Sequence, residues 1–161
     1  MALNDVSNIL WRERQLLELL VFKLEEEQLV LAAGRTRWLS HATREVETVL
    51  EELKKAELER AVQVEGTARE LGLSTAPSLL ELSQLTPTPW DKIFEEHRRA
   101  LLETAQEIES VARANRDLLA RGHQAAREAL ATIGHVENDS YTPTGAAANG
   151  SLGLRLIDEA I

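Results

Sequence analysis

The chain has 161 residues, 43% hydrophobic and 28% charged, with 27 acidic against 18 basic side chains for a formal net charge of −9. That balance, with no window of clustered lysine and arginine, argues against generic binding to nucleic acid or to an anionic membrane, both of which need a concentrated positive field. The absence of cysteine removes disulfides, thiolate metal sites and thiol nucleophiles together, and is compatible with a reducing compartment. The length suggests one domain. Ala, Leu, Glu and Arg dominate and favour helix over strand. An aromatic content of 4% points to a core of leucine, valine and alanine in long, narrow helical packing.

The first helix is expected over residues 4–33. Leucine recurs at 3, 10, 17, 24 and 31, with Val6 and Leu20 in the intervening positions of a coiled-coil seam. Glu13 and Glu27 interrupt that second row, so the seam is half complete. Ile9, Leu16, Leu19 and Val21 widen the apolar stripe past what one partner helix needs, which implies contact with more than one. Glu25, Glu26 and Glu27 read as solvated surface. Ala32-Ala33-Gly34 then breaks the pattern, and the glycine favours a hairpin over a bent continuous rod.

A second helix follows over 36–71, with Leu39, Ala42, Val46, Leu50, Leu53, Val64, Ala68 and Leu71 as its core row and the charged residues from Glu51 to Arg60 outside. Gly72-Leu73 reads as a C-terminal glycine and an apolar residue packing back on the last turn. Ser78 and Glu81 form a capping box ahead of a brief apolar run, which predicts a short helix over 78–84. Its leucines, Leu79, Leu80, Leu82 and Leu85, would cover the end of a bundle.

The longest helix is predicted over 89–133. Thr88 supplies an N-cap hydroxyl, Pro89 the first helical position and Asp91 an early acid, while Gly134 stands where the helix would stop. Phe94, Leu101 and Ile108 recur every seven residues, and Val111, Leu118 and Ala125 continue a neighbouring row. At about 1.5 Å per residue the element exceeds ~60 Å, too long to be buried throughout and too apolar on one side to stand alone. Asn115 and Gly122 fall on the seven-residue row and weaken packing there; they either set register or mark where the bundle leaves a groove. Leu118, Leu119, Ala125, Ala126, Ala129, Leu130 and Ile133 stay apolar beyond that point, a surplus on which an amphipathic partner helix would lie.

Beyond the last helix, turn residues replace any period, so residues 136–161 are expected to form a flexible tail behind a helical domain over 1–135. Leu152, Leu154, Leu156 and Ile157 make its end apolar enough to dock on something. The start of the chain lacks a basic stretch followed by an apolar run, and no segment reaches 18 consecutive apolar residues, so no signal peptide and no stable membrane insertion are expected. A cytoplasmic protein is the expectation.

Motifs for chemistry are missing: no phosphate-binding glycine loop, no Gly-x-Ser-x-Gly elbow and no His-Glu-x-x-His. A ferritin-like di-metal site needs Glu three residues before His. Here Trp38, Phe94, Ala120 and Thr132 precede His41, His97, His123 and His135 at that spacing. The chain is therefore expected to have no catalytic residues, no metal and no cofactor, and His97, between Phe94 and Leu101, reads as a hydrogen-bonded core histidine.

The block Asn115-Arg116-Asp117-Leu118-Leu119-Ala120-Arg121-Gly122 resembles the Asn-Arg-x-Leu-Leu-x-x-Gly element in the third helix of FlgN-like flagellar export chaperones. Leu24-Glu25-Glu26-Glu27, Glu59-Arg60-Ala61, Leu71-Gly72-Leu73 before Pro77-Ser78-Leu79, Pro89-Trp90 ahead of His97-Arg98, and Tyr141-Thr142-Pro143-Thr144-Gly145 agree in order and spacing, over roughly residues 8 to 145. The resemblance implies an all-α fold, an elongated antiparallel three-helix coiled-coil-like bundle with a short helix in the linker between the second and third rods. It also implies a cytoplasmic chaperone that binds the C-terminal amphipathic segment of the hook-associated proteins FlgK and FlgL and delivers them to the export gate protein FlhA. Carried onto this sequence, client binding falls on Leu118, Leu119, Ala126, Leu130 and Ile133, and gate contact on Tyr141. A homodimer stays open. The rival readings are a structural or regulatory coiled-coil protein, binding through the leucine row from Leu3 to Leu31, and a FliT-like secretion chaperone.

Overall fold

The computed structural model describes residues 2–133, and all of its regular structure is helical. Helix α1 runs over Ala2–Ala32, α2 over Thr36–Glu70, α3 over Leu79–Leu85 and α4 over Trp90–Ile133, each within about two residues of its expected ends. The proposed stop at Gly134 and the tail over 136–161 lie outside the described residues. Among those described, no helix is long and apolar enough to cross a membrane.

The connections after α1 and after α2 both begin as the glycines dictate. Gly34 has φ 66°, and the Gly34 and Arg35 amides donate back to the Leu31 and Val30 carbonyls, closing α1 in a Schellman turn. Gly72, at φ 70°, and Leu73 repeat the device on the Arg69 and Ala68 carbonyls. Only a residue without Cβ takes this conformation at no steric cost. At α3 the capping box is complete: Ser78 Oγ accepts from the Glu81 amide and Glu81 Oε2 from the Ser78 amide. At the start of α4 the sequence expectation is half met. Thr88 donates its hydroxyl to Asp91 Oδ2 at 3.2 Å, and the helix begins at Trp90, one residue after Pro89.

Side-chain pairs fix how the rods lie. Arg12 meets Glu59, Lys23 meets Glu45 and Thr43 meets Glu27, so α1 and α2 run in opposite directions. Ser7 meets His97 and the Leu24 carbonyl meets Asn115, so α4 runs in the same direction as α1, shifted by 90 or 91 residues. Helix α1 packs along both α2 and α4, and α3 lies on α4. The core holds Val6, Leu10, Leu17, Leu20 and Leu24 of α1, Val46, Val49, Leu53 and Val64 of α2, Leu79 and Leu82 of α3, and Phe94, Leu101 and Ile108 of α4. Each such side chain contributes about 1.5–3 kcal/mol by leaving water.

Four expectations need correction. Leu71 of the predicted α2 row is exposed, standing at the C-cap just past the last residue of α2; Leu80 and Leu85 of the short helix are exposed as well, because α3 is a two-turn element with one face to bury. Arg60, expected outside, is buried against Glu13 at 3.0 Å. The glutamate that interrupts the α1 seam is thereby matched by a guanidinium on the facing helix. Glu27, expected as solvated surface, accepts from Thr43 of α2 and from Asn115 of α4, tying three helices at one point.

Candidate partner-binding site

The inward stripe of α4 can be followed residue by residue. Phe94, Leu101, Ile108 and Asn115 are buried at seven-residue spacing. Steps of four, seven, four and three then carry the same stripe through Leu119, Ala126, Leu130 and Ile133, and all four are exposed. Leu119 is 38% exposed, Leu130 52% and Ile133 65%. Leu118 sits at the margin of the stripe and is half-buried.

Register explains the change. With α4 shifted by about 90 residues against α1, the last residue of α1, Ala32, stands level with position 122 of α4. Helix α2 begins at Thr36, at the same level. The last 11 residues of α4, 123–133, therefore continue past the end of α1, against which α4 packs, and past the start of α2, an overhang of about 16 Å at 1.5 Å per residue. Its stripe has the composition of a core and nothing in the described residues to cover it.

Asn115 is the hinge of this arrangement. It is the last buried residue of α4, and its amide donates to the Leu24 carbonyl at 2.9 Å and to Glu27 Oε1 at 3.2 Å. These bonds fix the register of α4 on α1, one of the two readings of its polarity; the stripe is then exposed from Leu119 onward, beginning within the last turn that α1 still flanks. Gly122, one turn into the uncovered part, has nothing within 4 Å of where a Cβ would stand, so no neighbour requires a glycine.

Trp38 was not legible as part of this end. It lies four residues before Ala42, the first buried residue of α2, and so continues the inward stripe of α2; it is 46% exposed. Spacing from Ala42 could have marked it, but only the register shows that α1 has ended there. Together the overhang, the α1–α2 turn and Trp38 bound a notch. Tyr141, expected to touch an export gate, lies outside the described residues.

The other polar features are tied into the bundle. Arg14 can only donate, at 3.4 Å, to His97 Nδ1, so the ring proton sits on Nε2 and is donated to Ser7 Oγ at 3.1 Å. Trp11 packs edge-on against the same ring. Burial, and then the Arg14 charge, lower the His97 pKa to about 4, keeping it a neutral core histidine as its position suggested. Burial pushes Glu13 up to about 7, against the opposing pull of Arg60. A cavity of about 450 Å³ opens beside this pair, between α2 and the α2–α3 connection, lined by Val6, Leu58, Val64, Pro77 and Leu82 with Glu57 and Arg60. Among the described residues no three acidic or histidine side chains converge to hold a metal.

Comparison with known proteins agrees with the resemblance drawn from the sequence. The family model described as FlgN protein matches residues 1–149. Comparison with curated proteins and with solved structures returned no significant match.

Proposed function

The chain belongs to the FlgN family of flagellar export chaperones, and from that premise we propose that it holds the C-terminal amphipathic segment of the hook-associated proteins FlgK and FlgL on the α4 overhang. The observation that carries this reading is the inward stripe of α4 continuing uncovered past Asn115. Leu119, Ala126, Leu130 and Ile133 form the contact line, with Leu118 at its edge. A client helix laid there takes the place that a longer α1 would have filled. The role is to cover a segment that would otherwise self-assemble early, and to deliver it to FlhA, with Tyr141 as the gate contact carried over from the family resemblance. The working body is the helical domain over 1–135, an elongated three-helix coiled-coil-like bundle acting in the cytoplasm, followed by the tail over 136–161.

The mechanism is burial of apolar surface. Covering about 600 Å² would yield roughly 15 kcal/mol before the costs of ordering and association, which leaves room for micromolar to nanomolar binding. The rival reading as a coiled-coil protein used the leucine row of α1 as its interface. Leu10, Leu17 and Leu24 of that row are buried in the chain's own core, which weighs against it.

Mixing the purified chain with a C-terminal fragment of a hook-associated protein tests the proposal. A complex lost on Leu119→Glu, with hydrogen-exchange protection over 119–133, supports it. Absence of a complex, or protection confined to α1, discards it.

A further inference from the structure

We infer that the segment seated on the overhang is an amphipathic helix with an acidic polar face, lying in the notch between α4 and Trp38. The inference rests on the export-chaperone reading of this site and adds the class of segment that it accepts.

The argument is the distribution of charge. The whole chain carries −9, yet the stretch around the α1–α2 turn, 33–41, together with α4 from 116 to 133, holds Arg35, Arg37, Arg116, Arg121 and Arg127 against only Asp117 and Glu128. These two stretches thus hold five arginines against two acids, while Glu26 and Glu27 near the end of α1 stand level with Arg116 and Asp117. Elsewhere Arg12, Lys23, Lys55, Arg60, Arg69 and Arg113 each engage a carboxylate, while the exposed Arg44, Lys54, Lys92 and Arg99 form no ion pair among the described residues. None of the five arginines at this end is paired with an acid among the described residues, and each is exposed.

Their placement relative to the stripe is specific. On a helix of 3.6 residues per turn, Arg116, His123 and Arg127, spaced seven and four apart, run along one edge of the line through Leu119, Ala126 and Leu130. Asp117, Arg121 and Glu128 fall on the opposite side of the rod. At the floor of the notch, Arg37 lies over the Trp38 ring at 4.6 Å and Arg35 occupies the turn. A helix whose apolar face meets Leu119, Leu130 and Ile133 would turn one polar flank to Arg116 and Arg127 and one end to Arg35 and Arg37. Carboxylates in those places gain Coulomb energy at both, whereas lysines meet like charge.

The test uses the full-length chain with Trp11→Phe and Trp90→Phe, which leaves Trp38 as the fluorescent reporter. The probes are two synthetic helical peptides with the same apolar stripe, one flanked by Glu and one by Lys, with the hook-associated fragment as control. The acid-flanked peptide is expected to bind about tenfold or more tightly than its Lys counterpart. Its affinity should fall as salt rises from about 50 to 300 mM, Trp38 emission should shift on binding, and Arg116→Glu with Arg127→Glu should erase the preference. Equal affinity for both peptides, with binding still lost in Leu130→Glu, overturns the inference while the chaperone site stands. Failure of the fragment and of both peptides to bind overturns both. Tighter peptide binding by the Leu156→Glu, Ile157→Glu chain would assign the notch to the chain's own end, and a dimer dissolved by Leu130→Glu would assign it to a second copy. Either result overturns the inference.

Discussion

Leu101 and Leu130 occupy the same stripe of the same helix, and truncating each to alanine should have opposite consequences. Leu101 is 1% exposed and sits among the inward leucines of α1, so Leu101→Ala removes buried methyl groups and leaves a cavity, at a cost of about 2–5 kcal/mol of folding stability. Leu130 is 52% exposed, with no neighbouring rod at its level, and Leu130→Ala should change the stability of the free protein by less than about 0.5 kcal/mol. Binding should reverse the order. Full burial of a leucine is worth about 1.5–3 kcal/mol, so the half still open to water holds back about 0.8–1.6 kcal/mol, or roughly 4- to 15-fold in client Kd. Urea unfolding followed by far-UV circular dichroism measures the first quantity, and calorimetric titration with a hook-associated C-terminal fragment measures the second. A loss of stability at Leu130→Ala approaching that at Leu101→Ala would mean the overhang is packed in solution, and the reasoning from register would fail.

Three further outcomes follow from the same structure. Arg60→Leu alone should cost about 1–3 kcal/mol by leaving the buried Glu13 carboxyl without its partner, whereas Glu13→Leu with Arg60→Leu should lie near wild type, as a double-mutant cycle of urea midpoints would show. Between about pH 4 and 7 two buried groups oppose each other. His97, lowered to about 4 by burial and Arg14 with Glu96 opposing, binds fewer protons folded than unfolded, so its contribution is lost as pH falls from 6.5 to 4. Glu13, raised to about 7 by burial and Glu57 with Arg60 opposing, holds its proton folded, so its contribution is lost as pH rises from 4.5 to 7. Each window spans up to about 3 kcal/mol. Glu13→Gln should therefore leave stability rising with pH, and His97→Gln should leave it falling; two unchanged profiles would refute the assignment. Gly34→Ala should destabilise by about 1 kcal/mol because φ is positive there, whereas Gly122→Ala, in an open helical site, should stabilise by about 0.5–1 kcal/mol in thermal melts.

The sequence by itself determined the helices and their ends, because these depend on contacts within a few residues: leucine every seventh position, glycine at 34 and 72, and Ser78 with Glu81 three residues on. It also marked the apolar surplus after Asn115, since periodicity within one helix shows which side chains share a face. Only tertiary structure decided which of those faces is covered. Coverage depends on axial register between rods far apart in the chain, and that register is set by pairs no local pattern announces: Asn115 on Leu24 and Glu27, His97 on Ser7, Arg60 on Glu13. For the same reason Trp38, an ordinary helical residue in the sequence, became part of the candidate site only when α1 was seen to end beside it.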